Sequence, residues 1–184
     1  MVAKPCSIFS GKIYQSARRA VNVSASKSRI LAEASVMAAL TTVATMILQV
    51  PVPETHGYIN LGDTMVMLSG MLFGPIVGAL AGGVGSALAD VLTGYAGWAP
   101  FTLVIKGSEG LLVGLLARRG GRTWALLGCV AGGLLMVLGY FLVEYFLYGA
   151  GAFVELPGNL LQALAGVAVA YSLGYEARRV LGRV

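Results

Sequence analysis

Residues 62–119 read GDTMVMLSGMLFGPIVGALAGGVGSALADVLTGYAGWAPFTLVIKGSEGLLVGLLARR, and this stretch decides the fold. Its apolar residues form three segments, which the Gly74-Pro75 pair and the loop 94–100 separate. Proline removes a backbone donor and glycine tolerates unusual backbone angles, so both residues favour breaks between helices. A spanning helix needs about 20 mainly apolar residues. The stretch therefore predicts three consecutive membrane helices, of which the first is short.

The same pattern continues on both sides of this stretch. The chain contains six apolar segments, at about 30–50, 62–73, 76–93, 101–117, 123–148 and 158–173. The composition agrees, because 57% of the 184 residues are hydrophobic and 11% are charged, against about 25% charged in a soluble domain. We therefore predict an all-α membrane protein with six transmembrane helices. Residues 30–184 form this membrane domain, and residues 1–29 form a basic cytoplasmic tail that we expect to be flexible.

The positive charges predict the orientation of the helices. The chain has thirteen Lys and Arg residues, and all except Lys106 lie outside the apolar segments. Those twelve are Lys4, Lys12, Arg18, Arg19, Lys27, Arg29, Arg118, Arg119, Arg122, Arg178, Arg179 and Arg183. The loops 51–61, 94–100 and 149–157 contain none. Because positive charges accumulate in cytoplasmic connections, both termini are predicted to be cytoplasmic.

Several functional classes are disfavoured by the same residues. The net charge of +5 follows from topology and anionic lipid, so it does not indicate nucleic-acid binding. Cys6 and Cys129 are too few and too far apart for a disulfide framework or a zinc site, and His56 stands alone in an outer loop. The sequence lacks the GxxxxGK[ST] phosphate loop, so ATP hydrolysis by that route is not expected. We predict no catalytic residue, metal or cofactor.

Polar residues inside the predicted helices indicate a binding site. Charged groups in a membrane are costly and commonly mark a pathway, a partner or a ligand. The predicted topology places most of them in the outer half of the membrane, with Glu109 close to its middle; they are Asp63, Asp90, Lys106, Glu109, Glu144, Asn159 and Gln162. Aromatic residues suited to stacking on a flat ring lie nearby: Tyr58, Tyr95, Trp98, Tyr140 and Tyr145. The arrangement favours a pocket that opens to the outside.

Each of these residues also has a structural interpretation. Lys106 and Glu109 are three residues apart on one helical face, so they are also placed to neutralise each other. Asp63 and Asp90 are placed to cap helix ends. The aromatic residues are also typical of an interfacial belt.

Glycines at four-residue spacing form a second pattern, which Gly70, Gly74, Gly78 and Gly82 illustrate. Small residues at this spacing let helix backbones approach closely in lipid, either within the chain or against another membrane protein. The first predicted helix carries the best candidate for a docking face, the segment Ala34-Ser35-Val36-Met37-Ala38.

The stretch 62–119 resembles the substrate-binding S component of energy-coupling factor (ECF) vitamin transporters, in the riboflavin-type branch, and the resemblance extends over about 30–180. It implies docking of a transmembrane coupling subunit on an A-x-x-x-A motif, here Ala34 and Ala38. It also implies a ligand site near the outer side. The implied contacts are Lys106, Glu109, Glu144, Asn159 and Gln162, with Asp90 and Trp98 at the rim.

The resemblance implies high-affinity uptake of a water-soluble vitamin or precursor across a prokaryotic plasma membrane. Related sequences are associated with riboflavin, pyridoxine-like and hydroxymethylpyrimidine-like compounds. Two ABC-type ATPases bound to the coupling subunit then hydrolyse ATP, and the S component topples to carry its site inward. The rival interpretations are a stand-alone secondary transporter or channel, for which the sequence shows no convincing inverted repeat, and a lipid enzyme, whose acids or histidines would lie near the cytoplasmic face.

Overall fold

The computed structural model describes residues 7–180 of the chain, and the side chains of residues 26–180. Six α-helices, one short antiparallel hairpin and one 3-10 turn make up this part. In chain order they are α1 (Ser7–Ile47), β1 (Gln49–Val52), β2 (Gly57–Asn60), α2 (Gly62–Phe73), α3 (Pro75–Leu92), α4 (Ala99–Ala117), α5 (Gly121–Tyr148), the 3-10 turn Gly149–Gly151 and α6 (Ala152–Val180). Lys4, Cys6 and Arg183 lie outside the described residues.

The helices carry the apolar outer surface that a bilayer requires. Four stretches of helix are long and apolar enough to cross a membrane: Ser26–Ile47, Pro75–Leu92, Ala99–Ala117 and Gly121–Val180. The last stretch contains both α5 and α6, whereas α2 is apolar but has only 12 residues. Large side chains such as Phe146, which is 87% exposed, cover the outside. The predicted helical membrane fold is confirmed, while the count of six spans and the orientation stay predictions.

Most helix boundaries agree with the sequence. Helix α2 has the predicted bounds, and the chain breaks at Gly74, whose φ of 96° places it in a region that favours glycine. Pro75 is the first residue of α3, where its missing N–H costs nothing. The break also lies against α4, because a Cβ on Gly74 would approach the guanidinium of Arg118.

Two predicted connections are wrong in detail. The residues 152–157 were expected to be loop, but α6 begins at Ala152 and runs through Pro157. Pro157 removes the one helical hydrogen bond that an N–H at this position would donate. The apolar segment before the loop 51–61 was expected to run to about residue 50, but α1 ends at Ile47 and β1 begins at Gln49, with Val50 paired opposite Ile59 in β2.

Glycines bring α2, α3 and α4 into backbone contact. A Cβ on Gly78 would lie 2.4 Å from the carbonyl oxygen of Gly110 and 2.6 Å from the Cα of Gly70. Side chains at these positions are therefore excluded by the neighbouring backbone. The predicted small-residue packing is realised within the chain, as the first interpretation of the glycine pattern expects.

Helix α1 packs on α3 through the docking motif itself. Ala34 is 3% exposed and belongs to an apolar cluster with Met37, Val77 and Ala81. Ala38 is half-buried, because α1 approaches α3 closely at Gly85. As α1 lies here, Ala34 faces the inside of the protein, and the outward small residues of this segment are Ser35 and Ala39. The helix also extends back to Ser7, so α1 continues through the described part of the predicted tail, whose flexibility stays a prediction.

Candidate functional site

The largest set of buried polar side chains surrounds a narrow cleft beneath the β1–β2 hairpin. Five helices contribute to it at the end of the bundle that carries the hairpin. Its walls are formed by Thr45, Gly57, Tyr58, Asn60, Ser86, Asp90, Trp98, Thr102, Tyr140, Glu144, Glu155, Asn159 and Gln162. The free volume is about 20 Å³, which is room for about one water molecule. A larger ligand would therefore require the hairpin or the wall side chains to move.

Four atoms on the walls of this cleft lack a hydrogen-bond partner within the protein. They are Asp90 Oδ2, Glu144 Oε2, Thr45 Oγ1 and Ser86 Oγ. Burying such groups without a partner costs about 1–3 kcal/mol each. Unpartnered atoms from three helices, α1, α3 and α5, therefore converge on one space, in which a bound molecule would be able to supply the missing bonds.

The two predicted amide residues, Asn159 and Gln162, lie in the same cleft and form hydrogen bonds to other cleft residues. Gln162 accepts a hydrogen bond from the backbone N–H of Asn60, at 2.6 Å, and donates one to Asp63 Oδ2, at 3.1 Å. Asn159 donates to Glu144 Oε1 at 3.5 Å. Gln162 therefore links the hairpin above the cleft to the ion pair below it.

Lys106 and Glu109 lie below the cleft and do not line it. Lys106 contacts Asp63 and lies 3.5 Å from Glu109 Oε2, and all three side chains are fully buried. The predicted Lys106–Glu109 pair is thus present, with Asp63 as a second carboxylate. Leu61 and not Asp63 is the N-cap residue of α2, and Asp63 lies in the first turn with its carboxylate on Lys106, so Asp63 does not occupy the capping position. The three residues form the floor of the site, which we call the ion floor.

The hairpin is held down by polar contacts to the cleft. The Tyr58 hydroxyl donates to Asp90 Oδ1 at 2.5 Å, and the Trp98 indole donates to the carbonyl of His56 at 3.0 Å. Burial raises the pKa of the Tyr58 phenol, and the hydrogen bond to Asp90 raises it further, so the phenol stays a donor at neutral pH. Opening the cleft requires these bonds to break.

The aromatic residues divide into two groups. Tyr58, Trp98 and Tyr140 line the cleft, and Tyr95 contacts Tyr58 with ring centres 4.6 Å apart and ring planes tilted by 50°. Tyr145 is 55% exposed on α5. The stacking interpretation therefore fits the first three residues, whereas Tyr145 has the exposure expected for a membrane belt.

Comparison with known proteins identifies the family. The family described as "ECF-type riboflavin transporter, S component" matches residues 26–179, which is most of the chain. This chain belongs to that family. It is therefore a transport component with a role in vitamin or precursor uptake, a multi-pass protein of the plasma membrane, and not an enzyme.

Individual relatives of this S component agree with the family. It is 33% identical over 138 residues to the thiamine precursor transporter HmpT of Lactococcus lactis, covering 74% of this chain and 80% of HmpT. It is 50% identical over 147 residues to a Pyrococcus woesei protein described as "Uncharacterized protein in gap 3'region", covering 78% of this chain and 97% of that protein. A UPF0397 protein of Streptococcus pneumoniae is 38% identical over 81 residues, or 44% of this chain and 43% of that protein.

Sequence reasoning missed several wall residues of this S component. Glu155 lines the cleft and accepts a hydrogen bond from Thr55, but its position before Pro157 made it look like part of a loop. Asn60 accepts from the N–H of Gly62 at 2.7 Å. An acid in an outer loop without Lys or Arg was the available signal for Glu155.

Proposed function

We propose that this S component binds a water-soluble vitamin or precursor from outside the cell, in the cleft beneath the hairpin. The observation that carries the proposal is the convergence of unpartnered polar atoms from α1, α3 and α5 on one buried space. Aromatic walls from Tyr58, Trp98 and Tyr140 suit a flat heterocycle. The candidate contacts are Asp90, Trp98, Glu144, Asn159 and Gln162, while Lys106 and Glu109 act from below by fixing the floor.

The proposed orientation places this cleft at the outer face. Basic residues gather at the opposite end of the bundle, where Arg178 donates to the carbonyl of Ala117 at 2.9 Å and Arg122 donates to Tyr171. Since positive charges favour the cytoplasmic side, that end is inside and the hairpin is outside. Six spans with both termini in the cytoplasm follow, with α2 as a short span sheltered by its neighbours.

The substrate range of the proposal has three members: riboflavin, pyridoxine-like compounds and hydroxymethylpyrimidine-like compounds. The family description names riboflavin, whereas the name of HmpT specifies a thiamine precursor. All three are flat heterocycles with polar substituents, which matches aromatic walls combined with polar side chains. Binding opens the hairpin, because the free space in the closed cleft is too small for any of them.

The proposed partners are a transmembrane coupling subunit and two ABC-type ATPases. Small residues on an outward helix face allow such a subunit to approach closely. On α1 this face contains Ser35 and Ala39, with Ala38 at its edge. Ala34 packs against α3, so the geometry favours its neighbours as the docking contacts.

Uptake and binding measured on the same variants test this division of roles. Ala39→Phe should reduce ATP-dependent uptake about tenfold or more in vesicles that contain the coupling proteins, because a bulky side chain prevents close helix packing. Binding of the vitamin to the purified variant should stay within about twofold of the unmodified protein. Leu164→Phe, on the exposed face of α6, is the matched control and should preserve both.

Two results would count against the proposal. Equal loss of binding and uptake in Ala39→Phe would remove the docking role. Uptake by the S component alone, without coupling subunit or ATP, would favour a stand-alone secondary transporter or channel.

A further inference from the structure

The cleft is lined by acids, and no cation lines it among the described residues. Asp90, Glu144 and Glu155 are 2%, 1% and 3% exposed, and each contributes to the walls. Buried carboxylates require compensation by hydrogen bonds or by a positive charge. The lining contains no Lys, Arg or His side chain that supplies one.

The cation below the cleft, Lys106, already forms ion pairs with acids outside the cleft lining. Lys106 contacts Asp63 and Glu109 in the ion floor, where two carboxyl groups share one ammonium group. This arrangement leaves no positive charge available for the cleft above. The acids of the cleft are therefore not compensated from below.

Glu144 and Glu155 both require hydrogen-bond donors, because both are buried carboxyl groups in the same cleft. Their carboxyl groups line the same cleft, one from α5 and the other from α6. Two buried carboxylates in one space stay ionised together only when hydrogen-bond donors or a cation compensate their charge. Glu155 receives a hydrogen bond from Thr55, but Glu144 Oε2 has no partner, and neither does Asp90 Oδ2.

The aromatic walls also favour positive charge. Tyr58, Trp98 and Tyr140 line the same space as the acids, and the faces of such rings attract cations. Lys106 Nζ already lies 5.6 Å from the centre of the Tyr140 ring, so Tyr58 and Trp98 are the rings available to a ligand. When a carboxyl group is ionised, its oxygens accept hydrogen bonds and donate none. A ligand group that satisfies the ionised acids therefore donates hydrogen bonds, and a positive charge strengthens every contact that it makes.

We propose that the ligand is an amino-substituted heterocycle, such as an aminopyrimidine or aminomethylpyridine, whose amino or ammonium group binds between Glu144 and Asp90. This inference rests on the proposed function and narrows its substrate class. Vitamins whose main recognition group is a carboxylate or a phosphate are excluded by repulsion from the three acids. Neutral riboflavin, which carries no basic amino group, is disfavoured relative to amino compounds.

Matched ligand pairs test the inference on the purified protein by isothermal titration. The pairs are pyridoxamine with pyridoxine, and 4-amino-5-hydroxymethyl-2-methylpyrimidine with its 4-oxo analogue; riboflavin and pantothenate complete the panel. In at least one pair the amino compound should bind about tenfold or more tightly than its partner, because charged hydrogen bonds contribute more than neutral ones. Glu144→Gln and Asp90→Asn should each reduce that preference, and their melting curves show whether they fold. Glu54→Gln removes an exposed acid of the hairpin turn and should leave the preference unchanged.

The outcomes separate this inference from the proposed function. Equal binding within both pairs, or tighter binding of riboflavin or pantothenate, would overturn the amino-group inference and leave the vitamin-binding role in place. If Glu144→Gln and Asp90→Asn both fold and both keep the preference for amino compounds, the amino group of the ligand does not bind between these two residues. A panel in which no compound binds would overturn both proposals.

Discussion

The cleft under the hairpin and the contact between α2, α3 and α4 follow opposite packing rules. At the helix contact, glycine backbones touch, and a Cβ on Gly110 would lie 2.1 Å from the carbonyl oxygen of Gly78. In the cleft, long polar side chains converge and four of their atoms have no partner. The helix contact is fully packed without a ligand, whereas the polar atoms of the cleft obtain all their hydrogen bonds only when a molecule is bound there. The difference separates residues that hold the fold from residues that serve the ligand.

The ion floor lies between these two regions and belongs with the fold. Lys106 forms ion pairs with Asp63 and Glu109, and all three side chains are fully buried, although the Glu109 oxygens make no hydrogen bond. A single partner removed from such a set leaves an uncompensated charge in a membrane interior. Changes here should therefore affect stability first and binding second.

The largest expected effect is that of Lys106→Met. This change leaves Asp63 and Glu109 without a cation and should lower the free energy of unfolding by about 3–5 kcal/mol. Thermal unfolding in detergent, followed by loss of helical circular dichroism, measures the change. The double variant Lys106→Met/Asp63→Asn should recover part of the loss. If the single variant kept full stability but lost ligand affinity, Lys106 would be a ligand contact and not a floor residue.

A matched pair on α4 tests the helix contact. Gly110→Ala forces a methyl group against the backbone of α3 and should cost about 3 kcal/mol. Gly107→Ala places its Cβ at 3.4 Å from the nearest atom, so it should be neutral or slightly stabilising, because alanine favours helix by up to about 1 kcal/mol. Equal melting temperatures for the two variants would show that the glycine contact does not hold the helices together.

Tyr58→Phe should have the smallest effect of the three. It removes the hydrogen bond to Asp90 and should cost about 1.5 kcal/mol, since the bond joins a neutral donor to a charged acceptor. Tyr145→Phe, at an exposed position on α5, is the control and should change stability by less than about 0.5 kcal/mol. The same melting experiment measures both variants. An unchanged Tyr58→Phe protein would mean that the hairpin is held by its other contacts alone.

The fold could be predicted from the sequence where a pattern is local. The bounds of α2 and the break at Gly74 follow from apolar length and from glycine and proline chemistry. Placing Asp90, Glu144, Asn159 and Gln162 at one end of the bundle needed only their depth along each helix. The depth of a residue in the membrane follows from its position along the helix, so it can be predicted from the sequence.

Helix rotation could not be predicted in the same way. In a bilayer both the lipid-facing and the protein-facing sides of a helix are apolar, so the pattern does not show which side turns inward. Ala34 was therefore expected on a docking face, whereas it packs on α3. Lys106 was expected to contact the ligand, whereas it pairs with Asp63 below the cleft. Both differences concern direction around a helix and not position along it, and the docking and ligand roles of these residues stay predictions.

The central claim is that the cleft holds a vitamin-type molecule, and native mass spectrometry of the purified protein tests it most directly. Protein from cells grown in rich medium should carry one small heterocycle per chain, identified by its accurate mass after release. Asn159→Leu, which removes a cleft amide next to Glu144, should lose most of this molecule, while Glu54→Gln should retain it. A folded protein that carries nothing and binds no water-soluble vitamin in titration would contradict the account, and so would equal retention in Asn159→Leu.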